Sequence, residues 1–247
     1  MDQFLETFLN WAYIWQVFPD LLRTGLQNTL ILAGASAVIG TVLGMVLAVM
    51  GLSAKRWLRW PARVYTDIFR GLPAILTILV IGQGLGTIAR DVVGTNPYPL
   101  GILALSLIAA AYIGEIFRAG IQSVDKGQME ASRALGMTYR SAMVKVVIPQ
   151  GVRRVLPALV NQFIALVKDS SLVYFLGLLV DQRELFRIGQ DLAANTGNLS
   201  PLVAAGFVYL VITVPLTHLV NHIDKRLRVG KKVASTPDLV TSGTVTS

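Results

Sequence analysis

Residues 25–52 contain no Asp, Glu, Lys or Arg. A helix of about 20 apolar residues already crosses the hydrocarbon of a bilayer, so this run points to a membrane span. Further apolar runs begin after Pro73 and cover about 99–117, 155–180 and 201–221. The composition agrees: 247 residues with 53% hydrophobic and 15% charged side chains and a mean hydropathy of +0.60 are too apolar for a soluble domain of this size. The pattern predicts an all-α integral membrane protein with five transmembrane helices.

Within the runs, Ser36, Gly40, Gly44 and Ala48 recur at intervals of four, as do Ser106, Ala110 and Gly114. Small residues at that spacing let helix backbones approach closely in lipid. Pro215 is expected to kink the last run. Residues 1–20 hold Asp2, Glu6 and Asp20 and no basic residue, so no ordinary cleavable signal is expected. Trp11, Tyr13, Trp15 and Phe18 there fit either a segment lying at the lipid headgroups or packing against the bundle.

The formal charge is +8, but the basic residues flank apolar runs instead of interleaving with aromatics, so they argue for topology and not for nucleic acid. About seventeen of the 22 Lys and Arg follow the first, third and fifth runs. By the positive-inside rule the N terminus is outside and the C terminus inside. The absence of cysteine excludes a disulfide framework, a thiol nucleophile and a thiolate metal site. His218 and His222 stand four apart without a third ligand, which suits interfacial histidines.

Residues 125–150, DKGQMEASRALGMTYRSAMVKVVIPQ, interrupt the apolar pattern with Asp125, Lys126, Glu130, Arg133, Arg140 and Lys145. Each charge would cost a few kcal/mol at mid-bilayer, so the stretch belongs in water or against a partner. Ser123 or Asp125 can cap a first short helix and Gly136 can end it in a left-handed conformation. Thr138 can cap a second, which Pro149 is expected to close. At about ten residues each, roughly 15 Å, neither would cross a bilayer. A two-helix cytosolic segment over 123–150 is therefore expected.

Glu130-Ala131-Ser132, three residues, Gly136, nine residues and Val146-Val147-Ile148-Pro149 resemble the EAA loop of ABC-importer permeases. The flanking AAYIGEIFRAGI at 110–121, PQGVRR at 149–154, KDSSL at 168–172 and RGLP at 70–73 are similar to the polar-amino-acid, histidine/glutamine-type members. The resemblance covers about residues 22–225 and departs from the usual motif in Ser132 and in the Val and Ile before Pro149. It implies a type I importer permease in which Met129, Glu130, Ala131, Ser132, Arg133 and Gly136 couple to a separate ATPase. No GxxxxGK[ST] phosphate loop is present, so ATP and Mg would be held by an ATPase dimer, with no cofactor in this chain and no catalysis by it. Five helices are few for a solute path. A second permease copy, identical or similar, and an extracytoplasmic amino-acid-binding protein complete the implied assembly, in contact with membrane lipid.

Lys168, Asp169, Ser170 and Ser171 interrupt the fourth run. Counted from Pro157, Lys168 would lie roughly 16 Å deep, near the midplane. Such a group either fixes packing, through a Lys168–Asp169 pair or serine bonds between helices, or forms a polar stretch of the substrate path, with both charge signs suited to a zwitterion. Glu115 is expected to pair with Arg118 or another helix, and is a second candidate for the path. The expected organisation is an interfacial segment 1–20, a permease domain 21–229 and a disordered cytosolic tail 230–247. The alternative is a stand-alone secondary transporter or channel, which would have no need of the charged segment and commonly shows internal repeats that are missing here.

Overall fold

The computed structural model describes residues 2–88, 94 and 96–229; Arg90 and Asp91 of the short loop after the second run, and the tail from 230, lie outside them. Among the described residues four helices are long and apolar enough to cross a membrane: Gln3–Leu52, Tyr98–Gln122, Tyr139–Leu176 and Ser200–Lys225. A bent pair, Arg56–Gly71 with Ala74–Ile88, makes a fifth if counted as one span. The all-α class is as expected.

The first span is longer than its apolar run. Helices α1 (Asp2–Phe8) and α2 (Trp11–Asp20) precede α3 (Leu26–Leu52), and a π-helical turn, Leu21–Gly25, joins α2 to α3 without a loop. Val17 and Leu21 pack with Leu185, Ala204, Ala205 and Val208, so this segment is docked on the bundle. Trp11 and Trp15 face outward.

Helix α4 (Arg56–Gly71) meets the following helical stretch at 107°. The corner is Leu72, extended at φ −86° and ψ 142°, because a following proline disfavours the helical region for the residue before it. Pro73 takes the N-cap position of α5 (Ala74–Leu79), one place earlier than a first-turn proline. A π-helical turn, Val80–Gly84, leads on to α6 (Leu85–Ile88).

Helix α7 (Tyr98–Gln122) is the centre of the packing. The two small-residue stripes meet each other: a Cβ built on Gly40 would stand 2.6 Å from the Ala109 Cβ, and one on Gly44 would stand 2.9 Å from the Gly114 nitrogen. Ser36 and Ser106 both donate to the Ile102 carbonyl, at 3.2 and 2.6 Å, which satisfies their hydroxyls inside the contact. Van der Waals contact at this range is what holds helices together where lipid offers no hydrophobic drive.

Two expectations about the next segment need correction. After α8 (Lys126–Ala134), α9 (Tyr139–Ala142) does not end at Pro149 but continues through a π-helical turn, Met143–Val147, into α10 (Ile148–Asp169). Proline inside a helix clashes with the carbonyl four residues back and donates nothing to it; a π turn placed just ahead accommodates both defects. The fourth apolar run is also not one helix to Val180. It leaves the α-helical path at Asp169, tightens into a 3₁₀ stretch Ser170–Leu176 and turns at Gly177 with φ +74°. Lys168 therefore stands in the last turn of α10, just ahead of the 3₁₀ stretch. Helices α11 (Leu185–Thr196) and α12 (Ser200–Val229) complete the described chain, α12 passing through Pro215.

Candidate functional site

The charged segment is built as a stiff elbow. Asp125 caps α8 by accepting from the Gly127 N–H at 2.7 Å. At the other end Gly136, with φ +84°, donates to the Arg133 carbonyl at 3.0 Å and Met137 donates to the Ser132 carbonyl at 3.1 Å. That pair of bonds is the Schellman closure, which needs the left-handed residue that Gly supplies most cheaply. Thr138 then caps α9 through the Ser141 N–H at 3.2 Å. The chain reverses direction with its backbone ends satisfied.

Three contacts clamp the elbow to the bundle. Ile121, Val124 and Val147 form a small core with Leu52, Met129, Met143 and Ile148 packed on it. Arg154 of α10 donates to the Ser123 carbonyl, and Gln150 donates to Gln128 at 3.2 Å. Gly120 and Gly151 let α7 and α10 cross in near backbone contact, a Cβ on Gly151 falling 2.8 Å from the Ile121 Cα. Neither glycine was singled out by its sequence pattern.

Of the coupling candidates, Glu130, Ala131, Arg133 and Gly136 are exposed, Met129 is half-buried, and Ser132 is buried with its hydroxyl on the Gln128 carbonyl at 2.7 Å. The presenting tip also holds Leu135, 85% exposed, and Tyr139, 59% exposed. Large apolar side chains left bare on a charged, water-facing elbow mark a contact surface. The motif spacing did not single them out.

The second candidate group divides. Ser170 is buried and donates to the Val167 carbonyl at 2.8 Å, and Ser171 donates to the Lys168 carbonyl at 2.7 Å. Lys168 is exposed and Asp169 half-buried, and no ion pair joins them among the described residues. Ser170 also lies against the Tyr209 hydroxyl of α12, a contact between helices of the kind that packing alone would use. Glu115 lies elsewhere: Val173, just past Ser171, packs on Gly101, roughly 20 Å along α7 from Glu115. Glu115 takes a two-pronged bond from Arg118, at 2.8 and 2.6 Å, with Arg70 at 3.8 Å, in a cavity of about 300 Å³ between α3, α4 and α7. That is the pairing role expected for it. His218 and His222 are exposed, and among the described residues no cluster could hold a metal ion.

A buried polar knot sits where Asp181, Arg183, Glu184 and Arg187 cluster in the sequence. Glu184 is fully buried and caps α11, accepting from the Phe186 and Arg187 N–H groups at 2.6 Å each and from the Tyr209 hydroxyl at 3.0 Å. Thr29 accepts from the Leu185 N–H at 3.2 Å, and Asn28 donates to the Asp181 and Arg183 carbonyls. The knot ties α3, α11 and α12 together beside the 3₁₀ stretch.

Residues 40–229 match the profile of the family described as binding-protein-dependent transport system inner membrane component. The chain belongs to this family. The permease is 37% identical over 210 residues to the arginine transport system permease protein ArtQ of Bacillus subtilis (strain 168), covering 85% of this chain and 93% of that one. It is 35% identical over 223 residues to the glutamate/aspartate import permease protein GltK of Escherichia coli O6:H1, covering 88% and 97%. A solved structure of an amino acid ABC transporter with histidines matches with a TM-score of 0.77 at 31% identity, over 88% of this chain and 99% of that one. An inward-facing structure of the MetNI methionine ABC transporter, at 24% identity and a TM-score of 0.67, shares the fold over 85% of this chain and 95% of that one. The permease is accordingly a multi-pass inner-membrane transport component and not an enzyme.

Proposed function

We propose that this chain is the permease subunit of an ATP-driven importer of polar amino acids, and that the elbow relays motion from a separate ATPase dimer that binds ATP and Mg. The observation that carries the reading is continuity. The helical path Tyr139–Leu176 begins inside the elbow and runs through the Lys168–Ser171 group without a loop between them. A rigid element with two docked ends transmits a displacement that a flexible connection would absorb.

In this reading Met129, Glu130, Ala131, Ser132, Arg133 and Gly136, joined by Leu135 and Tyr139, dock into a groove of the ATPase on the cytosolic side. The N terminus is outside and the C terminus inside. Lys168, Asp169, Ser170 and Ser171 form part of the substrate path, at a place where the backbone leaves the α-helix and both charge signs stand side by side. Glu115 is assigned to the Arg118 and Arg70 pairing and not to the path. The names of relatives with arginine and glutamate/aspartate transport support the substrate class. Two permease copies would enclose the path, and an external amino-acid-binding protein would deliver to it.

Gly136→Leu tests the coupling. A side chain in the left-handed region costs roughly 1–2 kcal/mol, enough to reopen the Schellman turn. The expected result is a complex that loses its ATPase subunit on purification, or hydrolyses ATP with at least a tenfold loss of transport in vesicles. Transport at the wild-type rate with the ATPase retained would refute the role given to the elbow.

A further inference from the structure

Helix α4 presents charges and tryptophans that neither the elbow nor the polar path engages. Its inner face is settled: Ala62 and Thr66 are buried, and the Tyr65 hydroxyl donates to the Leu107 carbonyl of α7 at 2.9 Å. The remaining surface divides into two flanks. Arg56, Arg59, Arg63 and Arg70 recur at i, i+3, i+7 and i+14, and Trp57, Trp60, Val64 and Ile68 at i, i+3, i+7 and i+11. At 3.6 residues per turn each set keeps one side of the helix.

The apolar flank is bare, with Trp57 68% and Trp60 65% exposed. On the basic flank Arg70 is engaged by Glu115 and Arg63 lines the same cavity, whereas Arg56 and Arg59 make no ion pair among the described residues. Lys55 adds a fifth cation, 5.9 Å from the Trp57 ring, and Asp67 is the one acidic residue between Lys55 and Arg70. The 107° corner lays α4 across the direction of the stretch that follows it. With that stretch crossing the bilayer, α4 lies near the membrane plane, at the depth where tryptophan and arginine are both at home.

We propose that this face of α4 is a docking surface for the headgroups of anionic phospholipids, Lys55, Arg56 and Arg59 taking the phosphates and Trp57 and Trp60 seating in the ester region below. The match is one of charge and of shape. A guanidinium is built for phosphate, and each basic residue at an anionic bilayer surface strengthens association roughly fivefold.

The test uses the permease–ATPase complex in nanodiscs of fixed phosphatidylcholine and phosphatidylglycerol composition, with bromine on the chains of one lipid or the other. The quenching that disappears in the Trp57→Phe/Trp60→Phe complex belongs to α4. Brominated phosphatidylglycerol is expected to quench it severalfold more than brominated phosphatidylcholine at equal bromine content. Lys55→Gln/Arg56→Gln/Arg59→Gln should erase that preference, and high salt should weaken it. Equal quenching by both lipids would mean contact without headgroup recognition, and quenching by neither would mean that protein covers the face; either overturns the proposal. Should the tryptophan variant fail to assemble, the phosphatidylglycerol retained by the purified complex decides, since the triple Gln variant must hold less. These readouts concern headgroups only, so they stand apart from whether Gly136→Leu uncouples hydrolysis.

Discussion

Glu184 shows how one buried side chain can join distant parts of the chain and carry a pH signature. Burial pushes its carboxyl up from 4.5 to about 7, against the lowering by the Phe186 and Arg187 amides, the Tyr209 hydroxyl and the Arg187 charge. Between those two values the folded chain holds a proton that the unfolded chain has released. The group's contribution to stability is therefore full below its ordinary value and is lost as pH rises through about 7. The melting temperature of the purified complex should fall with rising pH more steeply for the wild type than for Glu184→Gln, which removes the titration while keeping the shape. Parallel slopes would show that Glu184 does not titrate this way. The sequence could not announce this role. Glutamate is not among the favoured N-cap residues, and its neighbours Asp181, Arg183 and Arg187 make it look like one more loop charge.

Local grammar made most of the elbow readable, because capping is decided within a few residues: Asp125, Gly136 and Thr138 each do what their chemistry proposed. Pro149 misled because a proline is read as a stop, while the π turn ahead of it lets the helix pass. The fourth span misled for the opposite reason. Apolar character continues to Val180, but Ser170 and Ser171 bond back to carbonyls three residues earlier and the helix tightens. The Gly120–Gly151 crossing depends on segments that meet only in three dimensions, so it left no pattern along either one. Its weight can be measured. Gly151→Val must displace backbone that lies within 3 Å of a Cβ, and overpacking of that kind costs about 1–3 kcal/mol. A lower melting temperature and weaker ATPase retention are expected; a variant as stable and as well assembled as wild type would mean that the crossing is looser than described.

Seen as a whole, the molecule joins an exposed elbow to a polar stretch through one helical column braced on α7. Hydropathy foretold the spans, four helices and a bent pair among the described residues, and the stripes foretold close contacts, since both follow from what lipid can and cannot solvate. Which stripe meets which partner, and that Glu115 stands apart from Lys168, follow from how the helices are assembled, which no single segment encodes. Membership in the inner-membrane component family agrees with that architecture. The central claim is that the column moves as a lever. Pulsed electron paramagnetic resonance on spin labels at Tyr139 and Phe175, both exposed and roughly 50 Å apart along the column, tests it in the assembled complex. On trapping the ATPase with nucleotide, the Tyr139–Phe175 distance should stay unchanged while the distance from Phe175 to the matching position of the second permease chain shifts. A Tyr139–Phe175 distance that shortens or broadens with nucleotide would mean that the column bends and absorbs the motion, contradicting the account.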